Sequence, residues 1–362
     1  MVRPHRFLVA FIASLAFHNL GCAAEFGRID TIPEIAVTPI KDVACFRDLH
    51  IVAVIAERDS QILSFDPQAD PIQVVRHQIP GRNAGSITSE TSHFPSMVVA
   101  SNADGCVTYR INTADQWEFA ELSKAHGRGL SDPSVPTDLV LAFSKQTLRG
   151  DTFITANGLV NGEFVELFRH RKPDIYNSLG FYAVSSDKRR MVVCEPNSAE
   201  LPEYDTASGQ VLRNISAPGT LNKRFTGAAF SPDGLRLVTS TVDGTVSLWD
   251  AKSGQVIRLI DKIGGSVTHD IRFLNQGKLL FVSRPMAEAR RRSVVKFWDG
   301  KTFEPIVDIV SMLPLENDSS KTLTAVATSE DGARVVIGDS GGRVHIWTAP
   351  AGDSRFRRQD AP

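Results

Sequence analysis

Short apolar runs separated by turn residues dominate the hydrophobic pattern of this chain. Between residues 225 and 260 there are four such runs of five or six residues, at 225–230, 236–241, 245–249 and 256–260. Asp-Gly and Ser-Gly pairs lie between them, and such pairs favour tight turns between antiparallel strands. No segment shows a sustained 3.6-residue apolar period. The pattern predicts a four-stranded antiparallel sheet here and few helices elsewhere.

This four-run unit recurs along the chain. Residues 204–215 and 249–260 are identical at seven of twelve positions, at an offset of 45 residues. The third run of each unit ends near a marker residue, usually aromatic, and the six intervals from 65 to 347 average 47 residues. The markers are Phe65, Arg110, a weaker copy near residue 168, Tyr204, Trp249, Trp298 and Trp347. Self-similarity at this period predicts seven repeated sheets.

The period, the Ser-Pro-Asp-Gly turn at 231–234 and the Trp-Asp pair at 249–250 resemble the features of WD40 repeats. The resemblance is closest over residues 180–350 and weaker over 33–175. It implies an all-β fold, a seven-bladed β-propeller of four-stranded antiparallel blades over residues 33–350. It also assigns structural roles to Phe65, Tyr204, Asp243, Trp249, Asp250, Trp298, Asp299 and Trp347.

The tryptophans are expected to lie between neighbouring blades, because a single blade cannot bury both of its faces. Asp243 and Trp249 would hold two places in the buried Asp-His-Ser-Trp network of the family. The Gly-His pair that often precedes each WD40 repeat is missing from this chain, so the complete network is not expected.

In the family, strands from both chain ends complete one blade, which removes two exposed sheet edges. The segment Glu34–Ile40 has strand character and is predicted to supply the outer strand of the last blade. The C-terminal tail at 351–362 is mostly polar and is predicted to fray.

The first 24 residues have the three-part pattern of a secretory signal peptide. Arg3 and Arg6 precede an eleven-residue run at 7–17 that is apolar except for Ser14, and small residues follow at 21–24. Export to the periplasm, the cell surface or the medium is therefore predicted. A retained membrane anchor is the alternative, although a helix of this length rises only about 16 Å.

The segment Asn19–Cys22 resembles a bacterial lipobox, with Asn19 where leucine is usual. Lipidation of Cys22 and ordinary cleavage near Ala24 both remain open. No later apolar run approaches membrane-spanning length, so no membrane span is predicted beyond the leader.

The charge balance of 40 basic and 41 acidic residues gives no electrostatic argument for nucleic-acid binding. Beyond the leader, Cys45, Cys106 and Cys194 lack the Cys-x-x-Cys spacing of a zinc site and are expected to be buried. Nucleophile-elbow, phosphate-loop, His-Glu-x-x-His and EF-hand motifs are absent from the sequence. No metal or cofactor is predicted, and the chain is expected to be a monomer.

These features favour a non-catalytic, exported β-propeller that binds protein partners through its loops. The alternative is a propeller enzyme or a binder of a cofactor or small ligand, similar to quinoproteins or lactonases, with a site at the central axis. His269 and Asp270, at the start of a strand, are the candidates for such a site. The alternative is that they are an ordinary pair of residues at the end of a strand, with no catalytic or binding role.

One loop differs in length between the repeats. In the sixth unit Trp298 lies 25 positions after Phe273, whereas in the fifth Trp249 lies 19 positions after Phe230. The excess falls in Arg284–Ser293, where Arg284, Arg290, Arg291 and Arg292 could bind carboxylates or phosphates of a partner. A solvated surface run is the alternative.

Overall fold

The structure is a computed structural model. It describes residues 26–32, 35–36, 39–46, 181–187, 189–194, 199–206, 208, 210–217, 224–263, 270–284, 293–313, 322–329 and 331–357. Between residues 51 and 172 it describes only the residues of the strands. Side chains are described mainly from residue 183 onward. The leader with Cys22, His269 and the arginine run at 290–292 lie outside the described residues. Within the described part, no helix is long and apolar enough to cross a membrane.

The described strands form seven antiparallel sheets, so the predicted all-β class is confirmed. Strand β1 (Arg28–Ile32) belongs to the seventh sheet. The first sheet contains β2 (Ile40–Phe46), β3 (Ile51–Ala56), β4 (Gln61–Phe65) and β5 (Val75–Gln78). The second contains β6 (Ser86–Thr88), β7 (Met97–Asn102), β8 (Gly105–Ile111), β9 (Trp117–Glu118) and β10 (Lys124–Ala125). The third contains β11 (Arg128–Leu130), β12 (Leu141–Leu148), β13 (Asp151–Val160) and β14 (Glu163–Lys172).

The remaining sheets are better described in their side chains. The fourth contains β15 (Phe181–Val184), β16 (Arg190–Cys194), β17 (Glu200–Asp205) and β18 (Val211–Ser216). The fifth contains β19 (Phe225–Phe230), β20 (Arg236–Thr241), β21 (Thr245–Asp250) and β22 (Val256–Lys262). The sixth contains β23 (Asp270–Leu274), β24 (Leu279–Arg284), β25 (Val294–Asp299) and β26 (Pro305–Asp308). The seventh contains β27 (Leu323–Thr328), β28 (Arg334–Asp339) and β29 (Val344–Thr348), and β1 is its outer strand. Short 3-10 turns lie at Asn275–Gly277, Ile309–Met312 and Ser354–Phe356.

Five of the marker residues occupy one register position in the third strand of their sheets. The predicted marker Arg110 is wrong by one residue, because it lies opposite Met97, the first residue of β7, and Tyr109 opposite Val98 holds the corresponding position. Trp249 lies opposite Leu237, the second residue of the neighbouring strand. The same position is held by Phe65 opposite Val52, Tyr204 opposite Met191, Trp298 opposite Leu280 and Trp347 opposite Val335. The sheets are therefore copies of one unit, as the period predicts.

The marker expected near residue 168 is wrong. Phe168 lies in β14, the fourth strand of its sheet, whereas the other markers lie in third strands. In β13, Asn157 lies opposite Ala142, the second residue of β12. Residue 157 is 48 positions after Tyr109 and 47 before Tyr204, so the period continues through a residue that is not aromatic.

The N-terminal strand completes the last sheet, but it is not the predicted segment. Strand β1 pairs with β29, with Arg28 opposite Thr348 and Ile32 opposite Val344. Residues 34–40 instead lead to the first sheet, with Ile35 buried and Ile40 already in β2. Pro39 has no N–H to donate to a ladder, which disfavours a paired strand over the predicted range.

The cores lie between successive sheets. The cluster around Trp249 joins the fourth and fifth sheets, that around Trp298 joins the fifth and sixth, and that around Trp347 joins the sixth and seventh. A further cluster joins the seventh sheet to the first through Ile40 and Val336. The tryptophans are at most 2% exposed, so their predicted position between sheets is confirmed. Sheets packed face to face in chain order, with both chain ends in one sheet, are consistent with a β-propeller.

The predicted fraying of the tail is wrong for its first half. Phe356 is 3% exposed and makes edge-on ring contacts with Phe297 at 5.3 Å and Trp347 at 5.5 Å. The Asn275 amide donates to the carbonyls of Arg355 at 2.7 Å and Arg357 at 2.9 Å. One aromatic side chain therefore anchors an otherwise polar segment, and the ordered fold extends beyond residue 350.

Candidate interaction surface

The tryptophan and aspartate residues that recur in the repeats have local structural roles. Trp249 Nε1 donates to Thr239 Oγ1 at 2.8 Å inside the core. Asp243 Oδ1 accepts from the Thr241 hydroxyl at 2.6 Å and the Thr245 amide at 3.2 Å, so it caps its own turn. The Trp–Thr part of the family network is therefore present.

The aspartates that follow the tryptophans cap the next turn. Asp250 Oδ1 accepts from the amides of Ser253 at 2.7 Å and Lys252 at 3.0 Å, and these bonds, with the Ser253 hydroxyl, lower the pKa of Asp250. Asp299 Oδ1 accepts from the amides of Thr302 at 2.8 Å and Lys301 at 2.9 Å. These carboxylates hold turns and do not face a common site.

A buried polar network in the seventh sheet was missed by sequence reasoning. The His345 ring lies with Nε2 3.2 Å from Asp339 Oδ2 and Nδ1 2.9 Å from Thr31 Oγ1. Arg343 Nε donates to the same Asp339 oxygen at 2.7 Å. Burial alone would raise the pKa of Asp339, but the hydrogen bonds from His345 and Arg343 outweigh it and lower the pKa to about 2. Through Thr31 this network joins β1 to the sheet. Trp347 Nε1 also donates to the Phe26 carbonyl at 3.0 Å, just before β1.

The residues predicted for a site at the axis do not form a catalytic arrangement in the described part of the chain. Asp270 begins β23 and accepts from Arg272 Nε at 2.8 Å, which makes a local ion pair. No group of three His, Cys, Asp or Glu residues among the described residues could hold a metal ion. Of the arginine loop, Arg284 ends β24, and Arg290, Arg291 and Arg292 lie outside the described residues.

Exposed aliphatic side chains gather instead on two outer strands. Strands β18 and β22 are outermost in the fourth and fifth sheets. Five of their aliphatic residues, here called the outer-strand patch, are Val211 (49% exposed), Leu212 (53%), Val256 (39%), Ile257 (44%) and Leu259 (56%). Since the first four residues of β22 are all exposed, both faces of this part of the strand are open to solvent.

A single arginine connects the two halves of the patch. Arg213 follows Leu212 directly, and its guanidinium donates to the Ala251 carbonyl at 2.5 Å and the Lys252 carbonyl at 2.7 Å, in the turn before Val256. Its Nε donates to Glu203 Oε2 at 2.5 Å, and Glu203 is only 1% exposed. The halves therefore lie next to each other on neighbouring sheets.

The same arginine position recurs one sheet later. Arg258, 45 residues after Arg213, donates to the Thr302 carbonyl in the sixth sheet and lies 5.8 Å from the centre of the Phe303 ring. Both arginines thus reach from an outer strand to the turn of the following sheet. The Val-Leu-Arg and Val-Ile-Arg repeats carried a signal for this role, but only the structure shows which carbonyls they bind.

A second arginine of the fourth sheet, Arg190, also binds turns of the fifth sheet. Its guanidinium donates to the Ala251 carbonyl at 2.6 Å and the Gly234 carbonyl at 2.8 Å, and its Nη1 lies 3.5 Å from Glu203 Oε1. Both turns at this end of the fifth sheet are therefore fixed to the fourth sheet. The turn before Val256 is thus held by two arginines of the fourth sheet.

Comparison with known proteins finds the WD domain, G-beta repeat, at residues 211–250. The chain is 31% identical to Pre-mRNA-processing factor 19 homolog 2 of Arabidopsis thaliana over 129 residues, 35% of this chain and 23% of that protein. It is 25% identical to Target of rapamycin complex subunit wat1 of Schizosaccharomyces pombe over 165 residues, 45% of this chain and 47% of that protein. The chain thus spans less than half the length of these relatives.

The matched segment runs from β18 through β21 and contains Trp249, Asp250 and the turn at 231–234. The same turn geometry recurs outside it, since Ser185, Ser231 and Ser329 each donate to the aspartate two residues later at 2.5, 2.5 and 2.6 Å. With the tryptophan register shared by the last three sheets, these findings show that the chain contains WD40 repeats.

Proposed function

We propose that this protein is an exported, non-catalytic scaffold that binds a protein partner through the outer-strand patch. The observation that carries the proposal is the exposure of five aliphatic side chains on the outer strands of two neighbouring sheets. Single exposed aliphatic residues are common on soluble proteins, whereas a cluster of them marks an interaction site.

The fixed position of the patch supports a binding role. Arg190 and Arg213 tie the turns beside it to the fourth sheet. A surface that is ordered before binding loses less conformational entropy when a partner docks. The WD40 relative from Schizosaccharomyces pombe is by its name a subunit of a complex, which agrees with a role in an assembly. The Arg284–Ser293 loop is proposed as a second contact for acidic groups of the partner.

Export is the second part of the proposal, and it is supported by the leader sequence at 1–24. Cleavage before Cys22 or after Ala24 would leave β1 on the mature chain, because β1 begins at Arg28. Mass spectrometry of the purified native protein should find a lipidated Cys22 or a free Glu25 at the N-terminus. An uncleaved Met1 would contradict export by this leader.

Site-specific photo-crosslinking tests the binding role. A photoreactive residue replaces Ile257 in the patch or, as a control, Lys301 in the turn after β25 of the sixth sheet, in cells that make the protein. We expect a discrete protein adduct at 257 that excess purified wild-type chain abolishes and the Leu212→Ser/Ile257→Ser variant does not. No adduct, equal adducts at both positions, or equal competition by both proteins would contradict the proposal.

A further inference from the structure

The exposed side chains of the patch are placed by β-bulges. In the pairing of β18 with β17, Glu203 lies opposite Arg213 and Tyr204 opposite Val211, which leaves Leu212 as the extra residue. In the pairing of β22 with β21, Leu248 lies opposite Arg258 and Trp249 opposite Val256, which leaves Ile257 as the extra residue. A bulge re-aims the side chain at the extra position.

Leu212 and Ile257 are 45 residues apart and are the same position of two repeats. They are 53% and 44% exposed, so each bulge presents an aliphatic side chain to solvent. The bulges also interrupt the regular backbone edge of both strands, which disfavours the addition of a partner strand by main-chain hydrogen bonds. Recognition at this surface therefore depends on side chains.

The uncompensated charge beside the patch is positive. Lys252, in the turn before Val256, and Lys262, at the end of β22, are exposed, and within the described part of the chain their ammonium groups form no ion pair. The carboxylates of Asp250 and Asp261 already face cations, since Asp250 Oδ2 lies 3.9 Å from Arg236 Nη1 and Asp261 Oδ2 lies 3.3 Å from Lys296 Nζ. Arg213, next to Leu212, binds the Lys252 carbonyl, so Lys252 lies between the two halves of the patch.

We infer that the occupant of the outer-strand patch is a protein segment that carries aliphatic side chains next to carboxylates. The aliphatic side chains contact Leu212 and Ile257, and a carboxylate pairs with Lys252 between them. Opposite charges at the border of an apolar contact select the partner and orient it. This inference rests on the proposed function and adds the chemistry of the partner.

Peptide binding to the purified full chain tests the inference by fluorescence anisotropy. The probe is a labelled peptide, Asp-Leu-Glu-Asp-Ile-Leu-Glu-Asp-Leu-Glu, and its counterpart carries lysine at every acidic position. We expect the acidic peptide to bind and the basic peptide to bind at least about tenfold more weakly, with the difference reduced at high salt.

Two variants separate the apolar and the charged contributions. Leu212→Ser/Ile257→Ser should raise the Kd of the acidic peptide about tenfold or more, because two apolar contacts are lost. Lys252→Glu should raise it about three- to tenfold and should strengthen binding of the basic peptide. Lys301→Glu, the matched control two residues after Asp299, should change neither Kd.

Each outcome decides the inference. Equal binding of both peptides, no binding of the acidic one, or the same effect from Lys252→Glu and Lys301→Glu would overturn it. A specific photo-adduct at 257 together with any of these results would leave the proposed function standing and reject only the acidic partner. The absence of an adduct would reject the proposed function itself.

Discussion

Thr31 Oγ1 lies 2.9 Å from His345 Nδ1, although the two residues are 314 positions apart in the chain. The other ring nitrogen faces Asp339, whose pKa of about 2 keeps it ionised at neutral pH. An ionised carboxylate only accepts hydrogen bonds, so in a neutral His345 the proton is on Nε2 and Thr31 donates to Nδ1. The N-terminal strand is therefore held by a specific polar contact in addition to its backbone ladder.

Replacing Thr31 tests this contact. Thr31→Val keeps the shape and removes the hydroxyl, and we expect it to lower the free energy of unfolding by about 1 kcal/mol, because one hydrogen bond to a buried ring is lost. Thr31→Ser keeps the donor and should stay within about 0.5 kcal/mol of the wild type. Urea unfolding followed by tryptophan fluorescence measures both. Equal losses would show that the hydroxyl is not the stabilising group.

The low pKa of Asp339 makes the free energy of unfolding depend on pH in the acid range. Its pKa is about 2 in the folded chain, below the ordinary value of 3.8, so the folded state favours the ionised form. The resulting stabilisation, on the order of 2 kcal/mol, is present above pH ~4 and is lost as pH falls through ~2. We expect Asp339→Asn to be less stable than the wild type at neutral pH and the difference to shrink towards pH ~2. A difference that is constant between neutral pH and pH 3 would contradict the assignment.

Arg213 and Arg258, which hold the same position in successive sheets, should differ in their contribution to stability, because only Arg213 pairs with a buried carboxylate. Arg213→Met leaves Glu203, which is 1% exposed, with only Arg190 Nη1 at 3.5 Å as an ion-pair partner. This change should lower the free energy of unfolding by about 3–5 kcal/mol. Arg258→Met occupies the same position in an exposed setting and should cost under about 1 kcal/mol. Adding Glu203→Leu to Arg213→Met should recover most of the loss. Denaturant unfolding of the four proteins measures this, and equal costs for both arginines would refute the role of Glu203.

Phe356, which anchors the C-terminal segment, should contribute to the stability of the fold. Phe356→Ala should lower the free energy of unfolding by about 3–5 kcal/mol, because the side chain leaves a cavity against Phe297 and Trp347. Deletion of residues 358–362 keeps this contact and should have little effect. If both changes were neutral in thermal unfolding, the tail would not be part of the core.

The sequence predicted the local structure better than the contacts between distant segments. The strands of the fifth sheet match the predicted runs within two residues, because Asp-Gly and Ser-Gly turns bound β-branched runs there. Strand β1 was missed because Arg28 and Asp30 make it look polar, since as an outer strand it buries only Ile32. Phe356 was missed as a single aromatic residue in a polar tail, and the marker at 157 because Asn157 is not aromatic.

The candidate surface could be anticipated only in part. The repeated Val-Leu-Arg and Val-Ile-Arg segments were visible as part of the sequence identity between repeats. Whether Leu212 and Ile257 face solvent depends on bulges in strand pairing, and alternation along the strand does not encode these. The backbone carbonyls that Arg190 and Arg213 bind in the fifth sheet are 38 to 61 residues distant in sequence, and only the packing of neighbouring sheets brings them together.

The N-terminal strand closes the last sheet in the register that places Arg28 opposite Thr348. Disulfide trapping tests it most directly, with cysteines introduced at both positions and the non-reduced digest analysed by mass spectrometry. We predict a cross-linked peptide for Arg28→Cys with Thr348→Cys, and free thiols for Glu34→Cys with Thr348→Cys. A cross-link in the second pair and not in the first would contradict the account.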